Sequence, residues 1–469
     1  MKVLLINEVY GVLSTGRTVK ELQTYLKKEG HSCIVAYAYT RQGAMGMNQE
    51  LNEQCDYYMI GSAIDKKLHA LCSRIYGLQG YFSTGATKKL IRFIKNQKPD
   101  VVHLGNVHGN YLNLNLLLKY LARQDIPTAI VLHDCWFYTG RCTHYTANRC
   151  YQWREGCVKC PNNRNTPTSW FFDRSKKMWK DKKKYFTKLN KLAVIGVSDW
   201  ITNEARESFL KDAFLIKRIY NGIDLDIFKP MDTAELRKEL NLEDKFIILS
   251  VAAIWGNAKG LNGFLKLAER LQKQHKKSLQ DGKNKKECII LLVGNVGTVS
   301  NIPSNVRIIP ATDSAAALAR FYSVSDVYVS LSREESFGKT VAEALACGTP
   351  AVALQSTALP ELIGEGCGYL VTNNSLKGVY ECIEQIREKG KDHYSDRCIN
   401  YARDHFSKEH CDEEYCSDRK IDIQWTHGQM IDRDRHQKNS RYIFYQRRVF
   451  GHVCLTSNRT SDELVLMRI

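Results

Sequence analysis

A chain of 469 residues is too long for one ordinary hydrophobic core, so two domains of about 200 residues each are expected. Hydrophobic residues make up 43% and charged residues 25%, which is globular and sets aside disorder as the default. The net charge of +18 requires an anionic partner or a well-solvated basic surface, and nucleic acid, an anionic membrane face and plain solvation each satisfy it.

Residues 3–7 (Val-Leu-Leu-Ile-Asn) form an apolar run too short for a secretory signal and read as a buried first strand. No run approaches the roughly 20 apolar residues that span a bilayer, so a cytoplasmic location is expected. A glycine-bearing loop at 11–16, a helix over 18–29 and a strand over 32–37 then give the βαβ rhythm of a parallel sheet. Further strands are expected at 101–104, 129–132 and 193–197. The turn-rich segment 220–224, with Phe228-Lys229-Pro230 after it, reads as a hinge.

The rhythm then restarts. Strands are expected at 246–251, 288–293, 306–309, 327–331 and 350–354, with helices at 260–274 and 315–322. Two α/β units in series predict domains at 1–222 and 223–416, the first carrying a Cys-rich insertion at about 135–165 and the second a closing helix. A cleft is expected between the carboxyl ends of their sheets. Residues 417–469 are basic, lack this periodicity and read either as a loosely ordered tail or as an out-of-register fusion product.

The segment 330–350 is the most informative. A strand, a short polar loop, Gly338, and a helix ending at Gly348 before Pro350 place helix amides and a positive dipole end at the cleft, a site suited to a diphosphate. Glu335 precedes that helix and Glu343 lies two turns into it. Carboxylates accept hydrogen bonds well from vicinal hydroxyls, one from a sugar and one from a ribose.

These residues resemble the E-x7-E motif of retaining GT-B glycosyltransferases of family 4 (group 1). The Gly348-Thr349-Pro350 ending and the hinge run Asn221-Gly222-Ile223-Asp224 with Phe228 and Pro230 are also similar to that family. The resemblance implies two Rossmann-like domains and a nucleoside-diphosphate sugar donor. It places Glu335 at the donor sugar, Glu343 at the ribose diol, and Ser336, Phe337, Gly338 and Lys339 around the diphosphate. Lys259 matches the family's Lys-Gly and would neutralise the leaving group. The family's usual arginine upstream of that lysine is missing, its place taken by Ala252-Ala253-Ile254-Trp255.

In the N-terminal half, His133 and Asp134 end a strand and point into the cleft by the switch-point rule. The resemblance places His133 beside the donor sugar, as an orienting or charge-stabilising group. Asp134, His103 and His108 are expected on the acceptor side, and Gly16 of the glycine loop near the phosphates. The loop lacks G-x-G-x-x-G, which argues against a dinucleotide dehydrogenase.

Three further features complete the reading. The stretch 176–191 mixes eight lysines with Met178, Trp179, Tyr185 and Phe186, a composition suited either to an anionic membrane surface or to a solvated helix with one core face. Cys142, Cys150, Cys157 and Cys160 have the spacing of a structural zinc knuckle, similar to a subset of capsule and colanic-acid transferases, whereas Cys33, Cys72, Cys288 and Cys347 read as core residues. No metal is expected in catalysis, the D-x-D spacings at Asp224/Asp226 and Asp432/Asp434 being taken as coincidence. The expected enzyme builds surface polysaccharide on a saccharide or lipid-linked acceptor, peripheral to the inner membrane face, without nucleic acid. A catalytically silent sugar-nucleotide binder and a basic zinc-containing nucleic-acid-binding protein are the alternatives.

Overall fold

The computed structural model describes residues 1–40, 56–164, 167–283, 285–299, 301–312 and 314–416. The tail at 417–469, with its Asp432/Asp434 pair, lies outside the described residues. The first sheet comprises β1 (Lys2–Val9), β2 (Ser32–Tyr39), β3 (Tyr57–Met59), β4 (Val101–Leu104), β5 (Thr128–Leu132), β6 (Leu192–Gly196) and β7 (Leu215–Arg218). Their spatial order is β3-β2-β1-β4-β5-β6-β7, and every pairing is parallel.

The second sheet repeats this plan with β8 (Lys245–Ile254), β9 (Glu287–Asn295), β10 (Val306–Ile309), β11 (Val327–Ser330), β12 (Ala351–Leu354) and β13 (Gly368–Val371), ordered β10-β9-β8-β11-β12-β13 and again parallel. Strand order reverses beside β1 in one sheet and beside β8 in the other, which is where α/β sheets open a crevice at their carboxyl ends. Strands β4, β5, β6, β11 and β12 are buried along their whole length, as helices on both faces require. The fold is therefore the two-domain α/β architecture expected.

Local differences from the expected elements have physical causes. The first helix begins at Leu13 rather than at residue 18 and runs to Lys28. Its entry is set by backbone, since Gly11 takes φ +70 and its amide donates to the Gly16 carbonyl at 2.9 Å. Gly16 thus sits inside the helix, and a Cβ there would lie 3.1 Å from the Val9 backbone. It packs against β1 in the helix that also carries Ser14 and Arg17. Strands β3, β7 and β13 are only half-buried, so neither alternation nor an unbroken apolar run marks them in the sequence.

The hinge is closed by the far end of the chain. Ile223 donates to the Phe406 carbonyl at 2.7 Å and accepts from Lys408 at 3.0 Å. The last helix among the described residues, Lys408–Cys416, returns to the first sheet, where the Glu414 carbonyl accepts from Lys217 and Tyr415 lies against His103. Among the described residues no helix is long and apolar enough to cross a membrane.

At the end of β9, Gly294 holds φ +127, and a Cβ there would sit 1.7 Å from the Ala252 carbonyl oxygen. Gly294→Ala is predicted to cost about 2 kcal/mol or more in urea unfolding. Gly256→Ala, at a glycine with open space around it, should change stability little.

Candidate active site

A cavity of about 460 Å³ lies at the carboxyl ends of the second sheet's central strands. Val251–Ala253, Gly294, Lys339, Thr340 and Glu343 wall it from that side, and Gly11–Ser14 with Arg17 wall it from the first. The chain leaves β11, turns at Gly338 with φ +96, and enters the helix Lys339–Ala346. A Cβ at Gly338 would meet Leu362 at 2.8 Å, so both conformation and space demand glycine here. The turn presents the helix's first amides to the cavity.

Glu343 is buried, and its carboxylate accepts from the Tyr322 hydroxyl at 2.8 Å. Burial raises its pKa, while Lys339, the Tyr322 hydrogen bond and Arg17 pull it back. Arg17 was not anticipated from the sequence. It supplies a guanidinium to the cavity from the opposite half, in a structure whose Ala252–Trp255 segment offers none. Its one sequence signal was its place directly after the glycine loop.

Lys259 and Glu335 form an ion pair, the lysine from the short turn Asn257–Lys259 and the glutamate from the loop after β11. The sequence placed both at one site, and the structure joins them. Beside them Ser336 is buried with its hydroxyl unpartnered. Phe337 departs from expectation: it packs in the core against Tyr220 and Phe406, with ring centroids at 5.6 and 5.7 Å, and does not line the cavity.

His133 and His103 face a small cavity shared with Glu21 and Lys408. Burial holds both imidazoles at a pKa of about 4, so they are neutral near pH 7. Both His103 ring nitrogens lack partners. His108 and Asp134, expected at the acceptor, are engaged with each other at 2.7 Å. Asp134 also accepts from the Trp136 amide at 2.8 Å, so this pair braces the loops after β4 and β5.

A family profile described as "Glycosyl transferases group 1" matches residues 232–405, and one described as "Glycosyltransferase Family 4" matches residues 15–227. The chain belongs to the group 1 glycosyltransferases of family 4. Among curated relatives, an N-acetyl-alpha-D-glucosaminyl L-malate synthase of Bacillus anthracis is 30% identical over 196 residues, 41% of this chain and 49% of that protein. A putative colanic acid biosynthesis glycosyl transferase, WcaC of Escherichia coli, is 34% identical over 74 residues, 15% of this chain and 18% of it. The matched part thus spans half or less of these relatives. Among solved structures, a glycosyltransferase from Rickettsia africae has a TM-score of 0.60 at 16% identity, covering 90% of this chain and 99% of its own. Anabaena HepE in complex with UDP-glucose has a TM-score of 0.59 at 15% identity, covering 89% and 98%. At these identities the two structures show a shared GT-B fold.

Two features of the N-terminal half are set by its packing. In the Cys-rich insertion Cys142 and Cys160 approach to 3.8 Å, while the Cys157 sulfur accepts from the Gly140 amide at 3.1 Å. Among the described residues no three His, Cys, Asp or Glu side chains gather as a metal site. The insertion instead reaches the carboxylate loop, where Glu334 accepts from the Thr146 hydroxyl and the Ala147 amide, each at 2.7 Å. In the basic helix Ser175–Phe186, Met178, Trp179 and Phe186 face the core, so they are unavailable to a membrane. Its lysines point outward except Lys182, which is buried over the Trp136 ring and donates to the carbonyls of Trp136, Thr139 and Gly140.

The His108–Asp134 pair sets a pH dependence. Burial lowers His108, but the charge and hydrogen bond of Asp134 together with Glu8 raise it above 6.5; burial raises Asp134, but His108 and the Trp136 amide hold it below 3.8. The histidine's stabilisation is complete below 6.5 and is lost as pH climbs through its raised value. The carboxylate's is present above 3.8 and is lost as pH falls through its lowered value. Asp134→Asn is therefore predicted to cost about 2 kcal/mol between pH 3.8 and 6.5, narrowing at higher pH, in unfolding measured across that range.

Proposed function

We propose that this glycosyltransferase moves a sugar, with retention, from a nucleoside-diphosphate sugar to a saccharide acceptor carried on a lipid, in the assembly of a surface polysaccharide. The observation that carries the donor half of this reading is the cavity at Gly338, where helix amides, Lys339 and Arg17 surround the buried Glu343. Departure of a nucleoside diphosphate puts negative charge on phosphate and positive charge on the sugar ring. Preorganised amides and cations meet the first without reorganising. Glu343 accepts from the ribose hydroxyls, and Glu335 accepts from those of the sugar while holding Lys259 beside the leaving group. Neutral His133 orients the sugar without adding a positive charge next to the reacting carbon. HepE was solved with UDP-glucose and WcaC is named for colanic acid biosynthesis, both in keeping with this assignment. No residue in the reading requires a metal.

The membrane side of the proposal rests on a surface of the first half. The helix Ala63–Tyr76 exposes Ile64, Leu68 and Leu71 along one face, and the loop on its carboxyl end exposes Trp170, Phe171 and Phe172. Exposed Lys67 and Arg74 lie on that helix, Arg174 lies over the Phe172 ring, and exposed Lys176, Lys177 and Lys180 follow in the helix after the loop. Large apolar side chains ringed by cations match a bilayer surface carrying acidic lipids.

Lys259→Ala is predicted to lower kcat about a hundredfold with the best donor while leaving the unfolding midpoint nearly unchanged. Unchanged turnover would remove Lys259 from the site. For the membrane surface, Lys176→Glu, Lys177→Glu and Lys180→Glu together should weaken binding to phosphatidylserine vesicles about a hundredfold. Equal binding by the variant would exclude this docking face.

A further inference from the structure

A second cavity, of about 180 Å³, lies wholly within the first half and shares no residue with the donor cavity. Its wall includes Ser73, Arg74, Gln79, Asn110 and Arg141. Four polar atoms in this wall have no hydrogen-bond partner: Ser73 Oγ, Gln79 Oε1, Asn110 Oδ1 and Arg141 Nε. Ser73 is 6% exposed and Arg141 3%. Buried polar atoms are nearly always satisfied, so four orphans on one small cavity are unusual.

Arg141 sharpens the point. Its terminal nitrogens donate to the Asn163 side chain and the Pro167 carbonyl, yet among the described residues it forms no ion pair with a carboxylate. A guanidinium this deep without an anion is costly, and burial lowers its pKa. Arg74 adds a second guanidinium at the exposed rim. The two cations suit a phosphate, which arginine binds with charge-assisted hydrogen bonds. The Gln79 and Asn110 oxygens accept from hydroxyls, and Ser73 can do either. At roughly 30 Å³ per water the cavity holds about six waters, enough for a phosphate with part of one sugar or polyol ring and too little for a nucleotide.

We propose that this cavity binds a phosphorylated, hydroxyl-bearing small group, and that it is a second ligand site independent of the donor reading. Its rim adjoins the apolar strip, because the Trp170 amide donates to the Arg74 carbonyl at 2.7 Å. The phosphorylated group can therefore arrive as a free sugar phosphate or as a lipid headgroup.

The test is calorimetric titration of the full chain with glucose 1-phosphate, glucose and inorganic phosphate, alongside UDP as a reading of the donor cavity. Glucose 1-phosphate is expected to bind at least tenfold more tightly than either fragment, by about the margin that joining the two contacts gives. Ser73→Leu, which fills the cavity, should abolish that binding, and Arg74→Glu, at an exposed position that does not endanger folding, should weaken it about tenfold or more. UDP affinity should be unchanged in both. Flotation with phosphatidylinositol against phosphatidylserine vesicles separates the sources. A phosphatidylinositol preference lost in Ser73→Leu assigns the site to a lipid headgroup, and equal flotation with intact glucose 1-phosphate binding assigns it to a soluble ligand. Absence of both, or glucose 1-phosphate binding that neither variant alters, would overturn the proposal whatever UDP does.

Discussion

The left-handed turn at Gly338 is the constraint on which the site depends. β11 runs to the carboxyl edge of its sheet, and the helix after it can start at that edge only if the chain reverses within a few residues. With φ +96 and Leu362 pressing on the position, glycine alone makes that reversal without strain. The result is a helix tip directed at the cavity with Glu343 carried about one turn behind it. Burying that carboxylate is unfavourable, which is why Lys339, Arg17 and the Tyr322 hydroxyl stand around it.

The two halves are joined by carboxylates of the second gripping backbone amides of the first. Glu334 holds the Thr146 hydroxyl and the Ala147 amide. Glu361 holds the amides of Asp199 and Trp200, at 2.6 and 3.0 Å, where the helix Asp199–Arg206 begins. An acid at a helix start is favoured by the dipole as well as by the free amides. Lys339 and Glu21 add a looser contact at 3.9 Å. Glu334 directly precedes Glu335, so the Cys-rich insertion bears on the loop that presents the donor-side acid. That link ties the insertion mechanically to the loop that carries Glu335.

Much of the fold was legible because parallel strands buried on both faces are unbroken apolar runs, as at 351–354, which falls inside the strand expected at 350–354. Half-buried edge strands such as β7 leave no such mark. Glu335, Glu343, Lys259 and Lys339 were legible through motif and position, since the loop–glycine–helix arrangement encodes its own geometry. Arg17 was not, because its contribution depends on the approach of the opposite half, which no local pattern records. Phe337 was misplaced for the complementary reason: Lys339 and Glu343 of the same motif line the cavity, while its own side chain turns into the hinge core between Tyr220 and Phe406. The aromatic residues of 176–191 carried the same ambiguity, since a core-facing stripe and a lipid-facing stripe have identical spacing.

A crystal structure of the protein soaked with UDP tests the central claim most directly. The account predicts the diphosphate against the amides that follow Gly338, with the ribose hydroxyls on the Glu343 carboxylate and Lys339 or Arg17 within ion-pair distance of phosphate. Nucleotide bound elsewhere, leaving the Gly338 turn and Glu343 untouched, would contradict it.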